Sequence, residues 1–353
     1  MTTNHLLRYI RETVSYCRLF YPMSFASSDV ERKVFAILKV LDNSQEAQGS
    51  TVIARCLKDL GIELTERAVR YHLRLMDERG LTQLVGRRDG RVITELGLLE
   101  LKRALVNDKV GFAFSRIETL AFRTSFDWDK RTGSIPVNVS FFPEEKFTKA
   151  LKIMKPIFQE GLCVSDLVAV ANEGETIGEL IVPEGKVALA TVCSIVLNGT
   201  LLKAGVPVDS KFGGTLQIRN RIPLRFVELI HYSGSSLDPS EIFIRANMTS
   251  VAEVAETGNG EILANYREIP AICRPIAEEV VAKLKDFGIG GLFFMGNTSE
   301  PVCEIPVELN RIGVILIGGL NPVAAAREAG IESENRAMSV LVNYQTLVKV
   351  SEI

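Results

Sequence analysis

Apolar residues return every three or four positions between Val30 and Leu41 (Val34, Ile37, Leu38, Leu41), the spacing of a helix that buries one face. Ser28 and Asp29 in front of it are good capping residues. A second run of this kind, Thr51–Leu60, carries Val52, Ile53, Leu57 and Leu60 behind Ser50, and Gly61 stops it. After the turn Ile62-Glu63-Leu64, Thr65 caps a third helix over Glu66–Arg79. Val69, Leu73 and Met76 form its buried stripe, and Gly80 ends it. Arg67, Arg70, Tyr71 and Arg74 project from its other faces, while His72 reads as a partly packed helix residue. The pattern then changes. Leu81–Val85 and Val92–Thr94 flank Gly86-Arg87-Arg88-Asp89-Gly90-Arg91, which predicts a β-hairpin with a basic tip, Asp-Gly supplying the positive φ of a tight turn. A further helix is expected over Glu95–Val106. Three helices followed by a basic hairpin is the order of a winged helix-turn-helix.

From Ser134 onward strand-like and helical patterns alternate. Ile135–Phe141 reads as a strand, and Pro143–Glu160 as a helix with Phe147, Ala150, Leu151, Met154 and Phe158 on one side. The apolar run Lys186–Ser194, with a helix ending at Gly205, returns as Arg311–Gly319 with a helix ending at Gly330. Both landmarks are displaced by 125 residues, as are Glu179 and Glu304. The helix Phe147–Glu160 likewise corresponds to Ile276–Asp286. Equal displacement of several landmarks points to a duplication. Leu216–Ala264 would lie between the copies, with strand-like runs at Leu224–Tyr232 and Glu241–Met248. The expected fold class is therefore α/β (α+β overall): an N-terminal winged helix-turn-helix ahead of a duplicated, two-lobed α/β regulatory domain. The expected divisions are a flexible extension at 1–29 (with Met1 or Met23 as the start), the DNA-binding domain at 30–94, a helical linker at 95–133 and a ligand-sensing domain at 134–353.

Composition narrows the function. A chain of 353 residues suits two or three domains, and 46% hydrophobic residues suffice for a core. No run of roughly 18 uncharged apolar residues suggests a membrane span. Six scattered cysteines without a C-x-x-C pair and only three histidines argue against a structural zinc or a disulfide framework, so a cytoplasmic, metal-free protein is expected. The net charge of −2 is unevenly spread. Val30–Arg103 holds fourteen Lys and Arg against eleven Asp and Glu, leaving −5 for the rest of the chain. A basic domain on an acidic body suits nucleic-acid contact. The expected DNA-binding residues are Thr65, Glu66, Arg67, Arg70, Tyr71 and Arg74 on the third helix, with Arg87, Arg88 and Arg91 on the wing. The helix would read the major groove, and the wing would reach phosphates or the minor groove.

The repeated strand-to-helix turns end in small residues, which leaves backbone N–H groups free to bind an anion. No GxGxxG or P-loop is present, so no nucleotide and no cofactor are implied. The candidate ligand-binding residues are Cys193, Ser194, Asn198 and Lys203, then Ser210, Gly213 and Thr215 from a glycine-rich turn. Arg245, Thr249, Ser250 and Arg267 are secondary candidates, and the second copy offers Gly318-Gly319-Leu320-Asn321-Pro322. A small dicarboxylate fits this chemistry. No histidine is placed to make Cys193 a nucleophile, and His231, in an apolar strand, reads as a core or interface residue.

The runs Thr191–Val208, Phe212–Thr215, Phe226–Pro239, Glu241–Ile244 and Met248–Val251, behind a winged helix, closely resemble the NrpR family of nitrogen regulatory repressors of methanogenic archaea and some bacteria. The resemblance implies a homodimer on palindromic operators of nitrogen-fixation and ammonium-assimilation genes, released from the DNA by 2-oxoglutarate. It also brings general transcription factors and a second regulatory-domain protein into view as partners. Some family members carry two regulatory domains where one is seen here, which leaves open whether a second polypeptide completes repression. The alternatives are a winged-helix regulator of a different small carboxylate and an enzyme fused to a DNA-binding domain. Against the enzyme stands the lack of histidine and metal clusters. The ligand is expected to act by changing the orientation of the lobes, and so the spacing of two recognition helices.

Overall fold

The computed structural model describes residues 28–353 except 43, 45–46, 60–61, 87–88 and 104–110. The expected N-terminal extension lies outside the described residues but for its last two positions. The chain forms two compact units, Met1–Asp108 and Lys109–Ile353.

In the first unit, α1 (Ser28–Asp42), α2 (Ser50–Asp59) and α3 (Glu66–Glu78) are followed by the hairpin β1 (Thr82–Gly86) and β2 (Gly90–Ile93), then α4 (Glu95–Arg103). The helices form where the apolar periodicity predicts them. Their stripes close into one core of Val34, Ile37, Leu38, Leu41, Ile53, Leu57, Val69, Leu73 and Met76. Thr65 is extended, and its Oγ1 accepts from the Ala68 N–H at 3.2 Å, which satisfies one orphan donor at the start of α3. The hairpin is antiparallel with Thr82 opposite Ile93, and Gln48 exchanges two backbone hydrogen bonds with Arg91 (2.9 and 3.0 Å), tying β2 to the loop before α2. Leu101 on α4 packs against the same core.

The second unit opens with α5 (Phe112–Arg123) and then runs through β3 (Ser134–Pro143), α6 (Glu144–Gln159), β4 (Leu167–Ala171), the short hairpin β5 (Thr176–Ile177) and β6 (Leu180–Ile181), β7 (Lys186–Val192) and α7 (Ile195–Lys203). Next come β8 (Asp209–Arg219), β9 (Ile222–His231), α8 (Pro239–Arg245) and α9 (Val251–Thr257). The chain closes with β10 (Gly260–Pro270), α10 (Arg274–Lys285), β11 (Leu292–Thr298), β12 (Arg311–Ile317), α11 (Asn321–Glu328), β13 (Glu334–Asn343) and β14 (Val348–Lys349). The stretch 95–133, expected as a linker, is thus divided. Leu101 of α4 packs on the winged-helix core, and α5 buries Ala113, Ile117, Leu120 and Ala121 in the second unit.

The duplication is present, and its halves are interleaved. The two five-stranded sheets run β13-β3-β7-β4-β14 and β11-β12-β10-β8-β9, and every pairing is antiparallel. The last long strand of each half has crossed over: β8 pairs with β10 of the second half, and β13 with β3 of the first. Three sequence expectations are corrected by this arrangement. Leu216–Ala264 is not an insertion between lobes, because it begins and ends inside strands of one sheet. Glu241–Met248 is not a strand: Asp238 caps α8 by accepting from the Ser240 N–H at 2.8 Å, and Pro239 occupies the first turn, so the backbone is set for a helix. The stretch Ser210–Thr215 is not a turn but the middle of β8. Its glycines serve close packing, since a Cβ on Gly213 would stand 3.0 Å from the Tyr232 hydroxyl, and one on Gly214 would stand 2.4 Å from the Glu228 carbonyl oxygen.

Candidate nucleic-acid interface and ligand cavity

One face of α3 is buried through Val69, His72, Leu73 and Met76, so the helical repeat sends Arg67, Arg70, Tyr71 and Arg74 to solvent. Tyr71 is 63% exposed, far more than an aromatic ring normally is without a partner. Arg70 pairs with Glu66 at 3.4 Å and Arg74 with Glu78 at 3.2 Å, one turn apart. Exposed pairs of this kind hold the guanidinium groups in place and are given up at little cost. Glu66 also accepts from Ser50 Oγ at 3.3 Å, which makes it a scaffold residue of the helix start. Arg91 departs from expectation. Its Nε donates to Asp77 Oδ2 at 2.7 Å, beside a 2.6 Å bond from Thr82 Oγ1 to Asp77 Oδ1, so it fastens the wing to α3 rather than projecting from it. Arg87 and Arg88 lie outside the described residues.

In the second unit α7 and α11 begin at equivalent turns, and both open on one small cavity of about 20 Å³. Cys193, Ser194 and Ile195 line it from the first turn, Gly319 and Leu320 from the second. The positive ends of two helices therefore meet there. Asn138 on β3 and Asn265 and Arg267 on β10 complete its floor, while Tyr232, Asp238, Ile117 and Met338 close it. Along β10 the alternation of a strand puts Asn265 and Arg267 on one face and Tyr266 and Glu268 on the other.

Arg267 is 2% exposed and, among the described residues, makes no ion pair within 4.0 Å. Its Nη2 donates to Ser194 Oγ at 3.0 Å and its Nη1 reaches the Ser194 carbonyl at 3.4 Å, but its Nε has no partner. Burial lowers its pKa, opposed by Tyr232, Cys193 and Asp238. Asp238, the nearby carboxyl, is engaged as the α8 cap, and burial pushes its pKa up. Around the guanidinium, the Tyr232 hydroxyl donates to Asn265 Oδ1 at 2.5 Å, Asn265 Nδ2 to Ser194 Oγ at 3.3 Å, and the Met338 N–H to Asn138 Oδ1 at 3.0 Å. A buried cation with no ion pair among the described residues, ringed by amides, a hydroxyl and helix starts, has the chemistry to receive an anion. Burial pushes the Cys193 thiol up to about 11, so it lines the cavity as a neutral group.

The structure brings together Cys193, Ser194, the secondary candidate Arg267 and, from the second copy, Gly319 and Leu320. It sets the others apart. Asn198 Nδ2 donates to Ser210 Oγ at 3.0 Å, so this pair braces α7 against β8 behind the cavity. Gly213 sits opposite Asn265 and gives the Tyr232 hydroxyl room, and Thr215 is fully buried farther along the strand. Lys203 is exposed at the C-terminal end of α7, the end away from the cavity. Arg245 pairs with Glu241 at 3.9 Å on the surface, and Thr249 Oγ1 donates to Glu328 at 2.7 Å in a separate cleft that Ser250 shares. His231 is exposed rather than in the core. Asn138, Tyr232, Asn265 and Met338 escaped the sequence reading. The available signal was a polar residue in an otherwise apolar strand, Asn138 in one and Asn265 with Arg267 in the other.

Among the described residues no helix is long and apolar enough to cross a membrane. A family model described as NrpR regulatory domains 1 and 2 matches residues 110–349, and one described as the Ribonuclease R winged-helix domain matches residues 35–101. The chain is 40% identical to the Global nitrogen regulator NrpRI of Methanosarcina mazei, over 91% of this chain and 98% of that protein. It is 30% identical to the Global nitrogen regulator NrpR of Methanococcus maripaludis over 89% of this chain and 54% of that relative, and 32% identical to the NrpR of Methanocaldococcus jannaschii over 92% and 56%. The chain thus spans about half the length of those two relatives. A crystal structure of a nitrogen repressor-like protein from Methanococcus jannaschii matches with a TM-score of 0.58 at 28% identity, covering 68% of this chain and 98% of that one. With a winged helix in front and the regulatory-domain model matched over most of the remainder, this chain belongs to the NrpR family of nitrogen regulators.

Proposed function

We propose that this chain is a homodimeric repressor of nitrogen-assimilation and nitrogen-fixation genes that binds palindromic operator DNA through α3 and the wing, and that 2-oxoglutarate releases it by binding the Arg267 cavity. The observation that carries the sensor assignment is the buried guanidinium of Arg267, which lacks a carboxylate partner among the described residues and faces two helix starts. One carboxylate of the ligand pairs with Arg267 and accepts from the first turns of α7 and α11. The amides of Asn138 and Asn265 hold the other polar atoms.

A cavity of about 20 Å³ has room for a water molecule and not for a dicarboxylate, so binding must displace part of its wall. Met338 is the wall residue that gives way. It holds a left-handed φ of 48° at the irregularity in β13, a conformation that costs an ordinary side chain about 1 kcal/mol or more. Arg116 on α5 donates to the backbone carbonyls of Met338 and Ser339, and Ile117 beside it lines the cavity. Moving Met338 therefore moves α5, the first helix of the regulatory unit, from which the chain leads back to the winged helix. Half-sites are read about one helical turn apart, so a modest displacement of one recognition helix spoils simultaneous engagement of both.

The test is a band-shift of a nitrogen-gene promoter by the full chain with increasing 2-oxoglutarate, alongside calorimetry of the same protein. Succinate and glutarate serve as competitors that carry two carboxylates without the 2-oxo group. DNA release and heat with 2-oxoglutarate alone are expected. Release by another of these acids would make this a regulator of a different carboxylate, and neither release nor heat at millimolar ligand would end the sensor assignment.

A further inference from the structure

β9 runs for ten residues along the outer edge of its sheet, with β8 on one side and, among the described residues, no strand on the other. Ile222, Leu224, Val227 and Leu229 are 66, 43, 44 and 40% exposed on it. A long, apolar edge is a hazard that folded proteins usually blunt with charges of one sign, proline or a covering element. Here Pro223 guards one end only, and the two charges in the middle, Arg225 and Glu228, are of opposite sign. The hexad Leu224-Arg225-Phe226-Val227-Glu228-Leu229 reads apolar, charged, apolar from either end, with the charge inverted on reversal. Such a strand complements an antiparallel copy of itself.

We infer that β9 is the surface on which two copies of this chain meet, antiparallel about a two-fold axis between Phe226 and Val227. An isologous contact of this register sets Leu224 against Leu229 of the second copy, Arg225 against its Glu228 and Phe226 against its Val227, each pair occurring twice. The side chains are prepared for it. The ladder to β8 slips at Leu224 and again at Val227, so these two lack an opposite number on β8. Phe226 is held from beneath by Phe212, edge-on at 4.9 Å, and Arg225 is steered by Gln217 Oε1 at 3.2 Å. Because the slips interrupt the regular pleat, the contact is made through side chains rather than one continuous ladder. The inference rests on the homodimer reading above and gives it a place.

The dimer dissociation constant of the full chain, measured by analytical ultracentrifugation without DNA, tests it. R225E or E228R alone creates two like-charge pairs and is expected to weaken the dimer about tenfold or more. The double variant R225E/E228R re-forms both pairs with the signs exchanged, and is expected to return to within about threefold of the parent. If the single variants leave the constant unchanged while the parent is dimeric, this surface is wrong and the homodimer stands. If the singles weaken association and the double fails to restore it, the proposed register is wrong. A parent that stays monomeric at all concentrations overturns both.

Discussion

The two halves of the regulatory unit lay the same backbone around the cavity and put different chemistry on it. Asn138 stands opposite Thr191 and Asn265 opposite Leu316, and those two partners are 125 residues apart, so the asparagines occupy equivalent places. By the same register Ser140, opposite Leu189, corresponds to Arg267, opposite Val314. Ser194 corresponds to Gly319, and Gly213 to Met338. The first half supplies a hydroxyl at the helix start and a glycine in the crossing strand. The second supplies the cation and a side chain held at positive φ. A scaffold whose halves matched in every side chain would treat both ends of a ligand alike. Here one arginine makes the two sides of the cavity unlike, and a methionine stands in its wall where the other half has glycine.

Erasing the charge difference should have the largest effect. Arg267→Met is expected to lower 2-oxoglutarate affinity about a hundredfold or more by calorimetry, with operator binding kept. The melting temperature without ligand should hold or rise, because an unpaired buried charge gives way to an apolar side chain. Binding within about threefold of the parent would put the anion elsewhere.

A second difference is that, among the described residues, only the first half is followed by a helical pair, α8 and α9. Burial, helped by nearby Asp238, pushes the Glu241 carboxyl from its ordinary 4.5 up to about 7, against the Ala337 N–H, Arg245 and Arg116, which favour the charged form. A carboxyl raised on folding adds stability that is fully present below pH 4.5 and is lost as pH rises through about 7. Glu241→Gln should remove that slope, worth on the order of 3 kcal/mol across the full window, from melting curves taken through it. An unaltered slope would mean Glu241 is ionised throughout.

Making the walls alike comes next. Met338→Gly copies the residue found at Gly213, relieves the φ of 48° and opens the cavity in advance. Ligand should bind about tenfold tighter, while the melting temperature falls a few degrees from lost packing. Unchanged affinity would show that Met338 is no barrier. The smallest effect is expected at Lys203, which is exposed at the far end of α7. Lys203→Ala should shift ligand binding by less than about 0.5 kcal/mol, and a tenfold loss would return it to the site.

The winged helix was legible because its signals are local: a capping threonine, three apolar stripes at helical spacing and Asp-Gly in a hairpin. The duplication was legible because equal displacement survives without any knowledge of packing. The cavity was only half legible. Ser194 and Cys193 were found from the strand-to-helix turn, whereas Lys203 was chosen because it is cationic and close in sequence, and α7 carries it to the wrong end. Arg91 misled in the same way. A basic residue on a wing looks like a DNA contact until Asp77, fourteen positions earlier in the chain, is seen to hold it at 2.7 Å.

By itself the sequence determined most of the helices and strands and the repeat of 125 residues, because helix caps and strand alternation act over a few neighbours. Only the tertiary structure decided that β8 and β13 cross into the opposite sheet, and hence that two helix starts, two asparagines and one buried arginine share a cavity. That outcome depends on pairings such as Asn265 with Gly213 and on the 3.0 Å bond from Met338 to Asn138, between residues 200 positions apart. No local pattern encodes such a pairing. That Arg267 is buried without an ion pair among the described residues is visible only once its neighbours are in place.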